Sequence, residues 1–382
     1  MDPVATVTVA ELGPEHLSVE EFARSAAVWI AEHRHLAPPD YGAILPPDLH
    51  DEATAWQRLL FDAGFAGIHW PTEVGGRGLS PAHNAAWITQ CALAQVPPFV
   101  NMVGIVLTGG SILAFGTPEQ QAKHLRPIIA GDRVWCQLFS EPDAGSDLGA
   151  LATTAVPDGD GGFVVNGQKV WCSNGRVSDW GILLARTDAS LPQHKGISFF
   201  LCDMASPGID VRPLRQMNGE AEFDEVFLTD VHLAADALLG PLNGGWNVAM
   251  ATLTNERGYI GAAGIALNRR LDAMLALGGD LAPLQRQRLA QLWIRGRALQ
   301  MMGNRQGPVA SILGSLTKLG TTELMFDVAM FRADLDGAAS MLDSPVTAQA
   351  VTAPGARIAG GTSQVQRNLI GERILGLPRG PR

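Results

Sequence analysis

The chain has 382 residues, 46% of them hydrophobic, and a formal net charge of -10 with a sequence pI near 5.4. This length and apolar content can build a core large enough for two or three domains. No run of lysine or arginine interleaves with aromatic residues, which argues against a nucleic-acid-binding surface. The longest apolar stretch, 99–115, is interrupted by Asn101 and by Gly109 to Ser111, which argues against a membrane span.

The chain begins with acidic residues and prolines and has no basic start followed by an apolar run. Neither a signal peptide nor a mitochondrial presequence is predicted, and a cytoplasmic location is expected. The cysteines lack the spacing of a metal site and are expected to be buried free thiols. They are Cys91, Cys136, Cys172 and Cys202.

Three regions follow one another along the chain. In the first, 1–133, apolar residues such as Phe22, Ala26 and Ile30 recur at helical spacing, which predicts an N-terminal helical domain. In the second, 134–242, short runs rich in β-branched and aromatic residues predict a small antiparallel β domain. Its predicted strands are 134–139, 163–165, 170–172, 180–185, 197–202 and 225–228.

Helical periodicity returns in the third region, 243–382, after Gly244 and Gly245. The predicted helices are 246–277, 283–302, 309–342 and 363–375. Together they predict a C-terminal four-helix bundle. The fold class is therefore α+β, with one β domain between two helical ones.

Three sequence blocks carry chemistry-bearing residues. Ser140-Glu-Pro-Asp-Ala-Gly-Ser-Asp147 ends the first predicted strand, and its small residues allow backbone N–H groups and a hydroxyl to approach a ligand closely. Asn166-Gly-Gln-Lys-Val-Trp-Cys-Ser-Asn-Gly175 starts with Asn-Gly, a pair typical of hairpin turns. Arg357-Ile-Ala-Gly-Gly-Thr-Ser-Gln-Val-Gln-Arg-Asn368 lies near the C-terminus. Taken singly, a β-turn would explain the first block, and a tryptophan on a strand is more often a core residue.

The three blocks resemble motifs of the acyl-CoA dehydrogenase family, and the order helical, β, helical is the layout of that fold. The resemblance covers nearly the whole chain and implies an FAD-dependent α,β-dehydrogenation of an acyl-CoA thioester. By resemblance, Thr362 and Gln364 contact FAD from the C-terminal helix, and Ser146 lies near the CoA arm. The residues that would line or adjoin the flavin ring are Gln137, Phe139, Ser140, Trp171 and Ser173.

The catalytic base is not where many members of the family carry it. Their glutamate precedes the Gly-Thr-Ser-Gln run, where this chain has Gly360. Other branches of the family place the glutamate in a Glu-Arg pair about ten residues after a Gly-Gly-Trp entry. Here Gly244-Gly-Trp246 is followed by Glu256 and Arg257. The resemblance therefore predicts Glu256 as the base that takes the α-proton, with Arg257 orienting the helix or the substrate. The alternative is a surface glutamate in a weak ion pair with Arg257.

Gly360 keeps the backbone N–H that, in the family, helps to bind the thioester carbonyl. Because the glycine removes only a side chain, it also widens the pocket beside the acyl group. We therefore expect a bulky or branched acyl-CoA substrate, for instance one with a steroid side chain.

Two patterns that bind the ADP half of FAD across subunits in family homotetramers are missing. Neither Arg-x-x-Phe in 285–293 nor Gln-x-x-Gly-Gly-x-Gly in 332–340 is present, and 343–357 looks shortened and rich in Ala and Pro. A different subunit could supply the clamp, as in the heteromeric actinobacterial steroid side-chain acyl-CoA dehydrogenases that the chain resembles. We expect a tetramer, in the α2β2 form with a second acyl-CoA dehydrogenase-like subunit, and an electron-transfer flavoprotein as the electron acceptor.

Two other functions remain open at this point. The chain could be a non-catalytic partner subunit of a heteromeric dehydrogenase, in which case Glu256 is incidental. It could also be a relative that reacts with oxygen, as acyl-CoA oxidases and flavin monooxygenases do.

Overall fold

The computed structural model describes residues 17–39, 41, 44–262, 264–276, 281–303 and 310–379, without the side chains of 255–262 and 310–312. The chain divides into two compact units. The N-terminal unit is Met1–Arg215 with Ala221–Thr252, and the C-terminal unit is Gln216–Glu220 with Leu253–Arg382. Among the described residues, none of the helices has the length and apolar character that a membrane crossing requires.

The first part of the N-terminal unit is helical, as the apolar spacing predicts. Its helices are α1 (Val19–His33), α2 (His50–Asp62), α3 (Pro81–Ala94), α4 (Gly109–Phe115) and α5 (Pro118–Ala130). Capping boxes start α1 at Ser18 and α5 at Thr117, because each hydroxyl accepts a hydrogen bond from a backbone N–H of the first turn. A π-helical segment, Val103–Thr108, precedes α4.

A seven-stranded sheet follows, with strand order β1-β4-β2-β3-β7-β6 and β5 paired to β4. The strands are β1 (Trp135–Leu138), β2 (Thr154–Pro157), β3 (Phe163–Ser173), β4 (Trp180–Arg186), β5 (Ile197–Asp203), β6 (Ile209–Leu214) and β7 (Phe223–Leu233). Most pairs are antiparallel, but β1 and β2 both run parallel to β4. Parallel pairing is possible here because β2 and β3 lie between β1 and β4 in sequence and provide a long crossover.

The sheet corrects the sequence analysis at three places. β2 and β6 were not predicted, because most of their residues are exposed or half-buried and give no apolar run. The runs 163–165 and 170–172 belong to one strand, β3. Asn166-Gly167 is not a hairpin turn but a bulge in the pairing with β7, where the Asn166 side chain hydrogen-bonds to Asp230 at 2.9 and 3.0 Å.

The sheet buries one apolar cluster that includes three of the cysteines, Cys136, Cys172 and Cys202. All four cysteines are buried and free. Burial raises the pKa of the Cys202 thiol to about 12, so the thiolate form is rare at neutral pH.

The chain continues with α6 (Gly245–Ala262), α7 (Gly264–Leu275), α8 (Pro283–Gly303), α9 (Ala310–Asp336), α10 (Pro345–Ala356) and α11 (Ser363–Leu369). A π-helical segment, Ile370–Ile374, follows α11. Helices α7, α8 and α9 share an apolar cluster that includes Leu271, Leu292 and Phe331.

Helix α10 was not predicted, since its segment is rich in alanine and proline. Local chemistry explains why it is nevertheless helical. The Ser344 hydroxyl accepts a hydrogen bond from the Thr347 N–H at 3.1 Å, and Pro345 occupies the first helical position, where no N–H partner is needed. Pro354 lies in the last turn.

Candidate functional site

A bulge in β3 exposes the tryptophan of the second motif. The register between β3 and β7 shifts between Lys169 and Cys172. Within the bulge, the Val170 N–H donates to the Ser140 carbonyl at 2.9 Å. Trp171 takes a left-handed backbone conformation with φ of 61°. The bulge thus joins the second motif to the first and turns the Trp171 side chain out of the regular alternation of the strand.

The Trp171 indole is 56% exposed, so it is not a core residue. Phe223 contacts it edge-on, with ring centroids 5.8 Å apart and an interplanar angle of 81°. A flat aromatic surface of this size is available for stacking with another ring.

Three serine hydroxyls of the first two motifs have no hydrogen-bond partner among the residues that the structure describes. Ser140 and Ser173 are half-buried and Ser146 is exposed, and none of the three hydroxyls bonds to any residue in the described ranges. Ser173 also lines a small depression of mainly apolar side chains. Trp135 lines the same depression, and its buried Nε1–H has no partner within the described part of the chain.

Gln137 and Phe139 occupy different environments at the end of β1. Gln137 is half-buried and pairs in register with Ile182 of β4. Phe139 is 4% exposed and packs edge-on against Phe199 with centroids 5.7 Å apart. The Phe139 side chain is therefore part of the core.

The sequence analysis missed a buried ion pair that joins the first two motifs. Lys169 Nζ lies 2.7 Å from Glu141 Oε1, with the lysine side chain 0% and the glutamate side chain 7% exposed. Burial opposes ionisation of both groups and lowers the pKa of Lys169. For Glu141, burial would raise the pKa, but the Lys169 charge and the hydrogen bonds to the carboxylate lower it below its ordinary value. The sequence carries only a weak signal for this pair: Lys169 is the one charged residue of the second motif, but the first motif has Asp143 and Asp147 as well as Glu141.

The loop after Glu141 projects Ser146 into the open. A backbone bridge between Glu141 and Ala144 closes its first turn. Arg186 of β4 fixes its far end, donating to the Gly149 carbonyl at 2.8 Å and to the Leu151 carbonyl at 3.1 Å. The middle of the loop is unobstructed, since a Cβ added at Gly145 would meet nothing within 4 Å.

In the C-terminal unit, Gly360 and Gly361 form a turn with φ of 64° and 86°. Two buried side chains hold its carbonyl oxygens. Gln366 Nε2 donates to the Gly360 carbonyl at 3.0 Å, and Lys318 Nζ donates to the Gly361 carbonyl at 2.8 Å. The Gly360 N–H bonds to no described residue. The Gly361 N–H likewise has no partner among the described residues, so the turn leaves the N–H groups of both glycines unbonded while both of its carbonyls are engaged.

Helix α11 follows this turn directly. The Thr362 hydroxyl caps it by accepting a hydrogen bond from the Val365 N–H at 3.1 Å, and Gln364 is exposed on its first turn. Ser363 Oγ donates to Glu323 at 2.6 Å. Burial would raise the pKa of Glu323, but this bond and the charges of neighbouring arginines lower it.

Glu256 and Arg257 lie in helix α6, and their side chains are outside what the structure describes. The roles predicted for them stay predictions.

The two regions that lack the ADP-binding patterns, 285–293 and 332–340, are joined by an ion pair. Arg288 of α8 pairs with Asp334 of α9 at 2.7 Å. Further along α8, Arg295 pairs with Asp327 at 2.6 Å and Arg297 pairs with Asp272 of α7 at 2.6 Å. These arginines are therefore engaged within the C-terminal unit.

Models of the N-terminal, middle and C-terminal domains of acyl-CoA dehydrogenase match residues 19–132, 136–231 and 243–375. The chain is 38% identical to acyl-CoA dehydrogenase IpdE1 of Mycobacterium tuberculosis, over 94% of this chain and 98% of that protein. The chain belongs to the acyl-CoA dehydrogenase family. Its helical and antiparallel-rich β layout is the fold of that family, as the sequence analysis predicted.

Two solved structures support the same assignment. A steroid acyl-CoA dehydrogenase named Tcur3481-Tcur3483 superposes with a TM-score of 0.81 at 25% identity, covering 95% of this chain and 98% of that one. The ChsE4-ChsE5 complex from Mycobacterium tuberculosis gives a TM-score of 0.78 at 27% identity, with coverage of 95% and 98%.

This acyl-CoA dehydrogenase is an oxidoreductase of the type that acts on CH–CH bonds, and FAD is the cofactor of its family. The residues present fit that cofactor. An exposed indole face suits a planar ring, and the unpartnered hydroxyls of Ser140 and Ser173 suit the polar edge of such a ring.

Proposed function

We propose that this acyl-CoA dehydrogenase forms a double bond between Cα and Cβ of a CoA thioester whose acyl group is bulky or branched, as in a steroid side chain. The Gly360–Gly361 turn is the observation that carries this proposal. Gly360 has no side chain of its own, its N–H bonds to no described residue, and Gln366 and Lys318 donate hydrogen bonds to the two carbonyls of the turn. The similarity to IpdE1 supports the dehydrogenase activity, and the similarity to the structure named a steroid acyl-CoA dehydrogenase supports the substrate class.

Each residue has a defined task in this proposal. The Gly360 N–H donates to the thioester carbonyl oxygen, which stabilises the negative charge that builds up there when Cα loses its proton. Glu256 takes that proton, and Arg257 orients the helix or the substrate. FAD, when bound, supplies the acceptor for the hydride that leaves Cβ.

The cofactor would be held by groups with different chemistry. Trp171 offers its indole face, while Ser140 and Ser173 offer hydroxyls. Gln137 and the backbone of Phe139 contribute from the end of β1. We assign Thr362 and Gln364 to FAD contacts and Ser146 to the CoA arm by their match to the family motifs.

Replacing Glu256 by Gln tests the base. Glutamine keeps the size of the side chain but is not basic, so we expect turnover to fall by roughly a thousandfold, within the range typical of a general base. Flavin content should stay at the wild-type level. The measurement is reduction of an artificial electron acceptor with a branched acyl-CoA, with the exposed Glu119→Gln variant as the matched control.

Unchanged turnover of Glu256→Gln in the assembled enzyme would show that the base lies elsewhere and would favour a non-catalytic role for this chain. The same assay under air, with hydrogen peroxide measured, separates a dehydrogenase from an oxygen-using relative. We expect little peroxide and propose an electron-transfer flavoprotein as the acceptor.

A further inference from the structure

Lys169 and Glu141 are charged groups in the interior of the β region, at 0% and 8% exposure. Burying such a pair costs desolvation free energy that its mutual attraction often only balances, and an apolar pair of similar size can be as stable. A gain in stability therefore does not explain why the pair is present. Its hydrogen bonds indicate a structural role, because they connect separate segments of the β region.

On one side, the pair fastens the end of β1 to β3. Lys169 Nζ donates to Glu141 Oε1 at 2.7 Å and to the Phe139 carbonyl at 3.1 Å. The next residue, Val170, donates its N–H to the Ser140 carbonyl at 2.9 Å. Three consecutive residues after β1 are thus each bonded to Lys169 or Val170.

On the other side, Glu141 fastens the same segment to the chain just before β2. Its carboxylate accepts hydrogen bonds from the Ala152 N–H at 2.6 Å and the Thr153 N–H at 3.0 Å. The loop that carries Ser146 is therefore closed at both ends by one carboxylate. An amide in its place could not accept from both N–H groups and still face Lys169, because one of its two ends is a donor.

These contacts bear directly on Trp171. A left-handed backbone is uncommon for a bulky residue and persists only where the surroundings enforce it. In β3 the departure from the β7 ladder begins right after Lys169, where Val170 turns to Ser140.

We propose that Lys169 and Glu141 are positioning residues that hold the β3 bulge, and with it the Trp171 indole and the Ser140 segment, in the conformation that receives the flavin. The functional part of this inference rests on the flavin site proposed above. The positioning itself is a property of the chain without cofactor.

The test uses protein labelled with 5-fluorotryptophan and ¹⁹F NMR of the cofactor-free chain, which contains nine tryptophans. The resonance that disappears in Trp171→Phe belongs to Trp171. We expect Lys169→Met to shift or broaden that resonance. In the assembled enzyme, we expect it to weaken FAD binding about tenfold or more, the size of effect typical of removing groups that support a binding site. Val165→Ala, a fully buried position on the same strand, is the matched control. It should lower the thermal midpoint and leave the Trp171 resonance in place.

The double variant Glu141→Gln with Lys169→Met removes both buried charges and keeps the test decisive if Lys169→Met alone does not fold. We expect its thermal midpoint to recover while the Trp171 resonance and FAD affinity stay altered. The positioning role would be overturned if the double variant recovered the thermal midpoint, the Trp171 resonance and the FAD affinity together. An unmoved Trp171 resonance in Lys169→Met would overturn it as well. Wild-type FAD affinity in Trp171→Phe would instead refute the flavin role of Trp171, and the NMR comparison would still decide the positioning.

Discussion

At the scale of single residues, burial sets the protonation state of several side chains. His124 is 3% exposed and packs edge-on against Trp135 and Trp180, with ring centroids 5.2 and 4.7 Å away. Burial is the main cause that lowers the pKa of His124 to about 4, and the charge of Lys123 lowers it further. The ring is therefore neutral at neutral pH.

This depressed pKa predicts a specific loss of stability in acid. The unfolded chain takes up a proton on His124 below pH 6.5, whereas the folded chain does so only near pH 4. The free energy of unfolding is therefore not reduced by His124 above pH 6.5. It declines as the pH falls toward 4, by up to about 3 kcal/mol in all. Thermal midpoints between pH 7 and 4 should fall more steeply for the wild type than for His124→Phe.

The Phe variant keeps an aromatic ring against both tryptophans but cannot be protonated. Exposed His232 provides the control, and His232→Gln should follow the wild-type curve. Parallel curves for wild type and His124→Phe would show that His124 does not cause the acid sensitivity.

At the scale of elements, the start of α6 shows how closely a helix can lie on a strand. A Cβ added at Gly245 would stand 2.4 Å from the Ser198 carbonyl carbon and 2.5 Å from the Phe199 nitrogen. Both atoms are backbone atoms of β5, so neither can move aside as a flexible side chain would. Only a hydrogen fits at this position.

We therefore expect Gly245→Ala to lower the free energy of unfolding by about 1–3 kcal/mol through overpacking. Gly355 in α10 is the matched comparison, because a Cβ there would meet nothing within 4 Å. Gly355→Ala should raise stability by up to ~1 kcal/mol, since alanine has less freedom to lose in a helix. Thermal midpoints that moved in the same direction for both variants would contradict this explanation.

At the scale of the whole molecule, the regions that lack the ADP-binding patterns carry ion pairs such as Arg288 with Asp334 instead. Among the similar structures, one is described as the ChsE4-ChsE5 complex and another carries the paired name Tcur3481-Tcur3483. We propose that this chain works in an α2β2 tetramer, where a second acyl-CoA dehydrogenase-like subunit supplies the missing contacts to FAD.

This proposal predicts a difference in flavin content. The chain purified alone should contain much less than one FAD per chain, and co-expression with a second dehydrogenase-like subunit that carries the Arg-x-x-Phe pattern should restore it. Flavin absorbance per chain and the mass of the native assembly measure both effects. A chain that is fully flavinated and active by itself would refute the heteromer.

The sequence by itself determined the family, the order of helical and β regions and the position of the three motifs. Those properties depend on local periodicity and on short segments, which are read directly from neighbouring residues. The strong apolar runs of β4 and β5, for example, predicted both strands to within one residue at each end. Helix α10 and strand β6 were not predicted because neither has an apolar pattern. The helix depends on its cap, and the strand depends on pairing with β7.

Only the tertiary structure decided how individual side chains are used. Phe139 and Trp171 both looked like residues that face a ring, yet one is buried in the core and the other is exposed on a bulge. Asn166-Gly167 looked like a turn and is part of a continuous strand. The physical reason is that a bulge, a buried ion pair such as Lys169 with Glu141, and a carbonyl held from another helix are contacts between distant segments. Such contacts leave no periodic signal in the sequence.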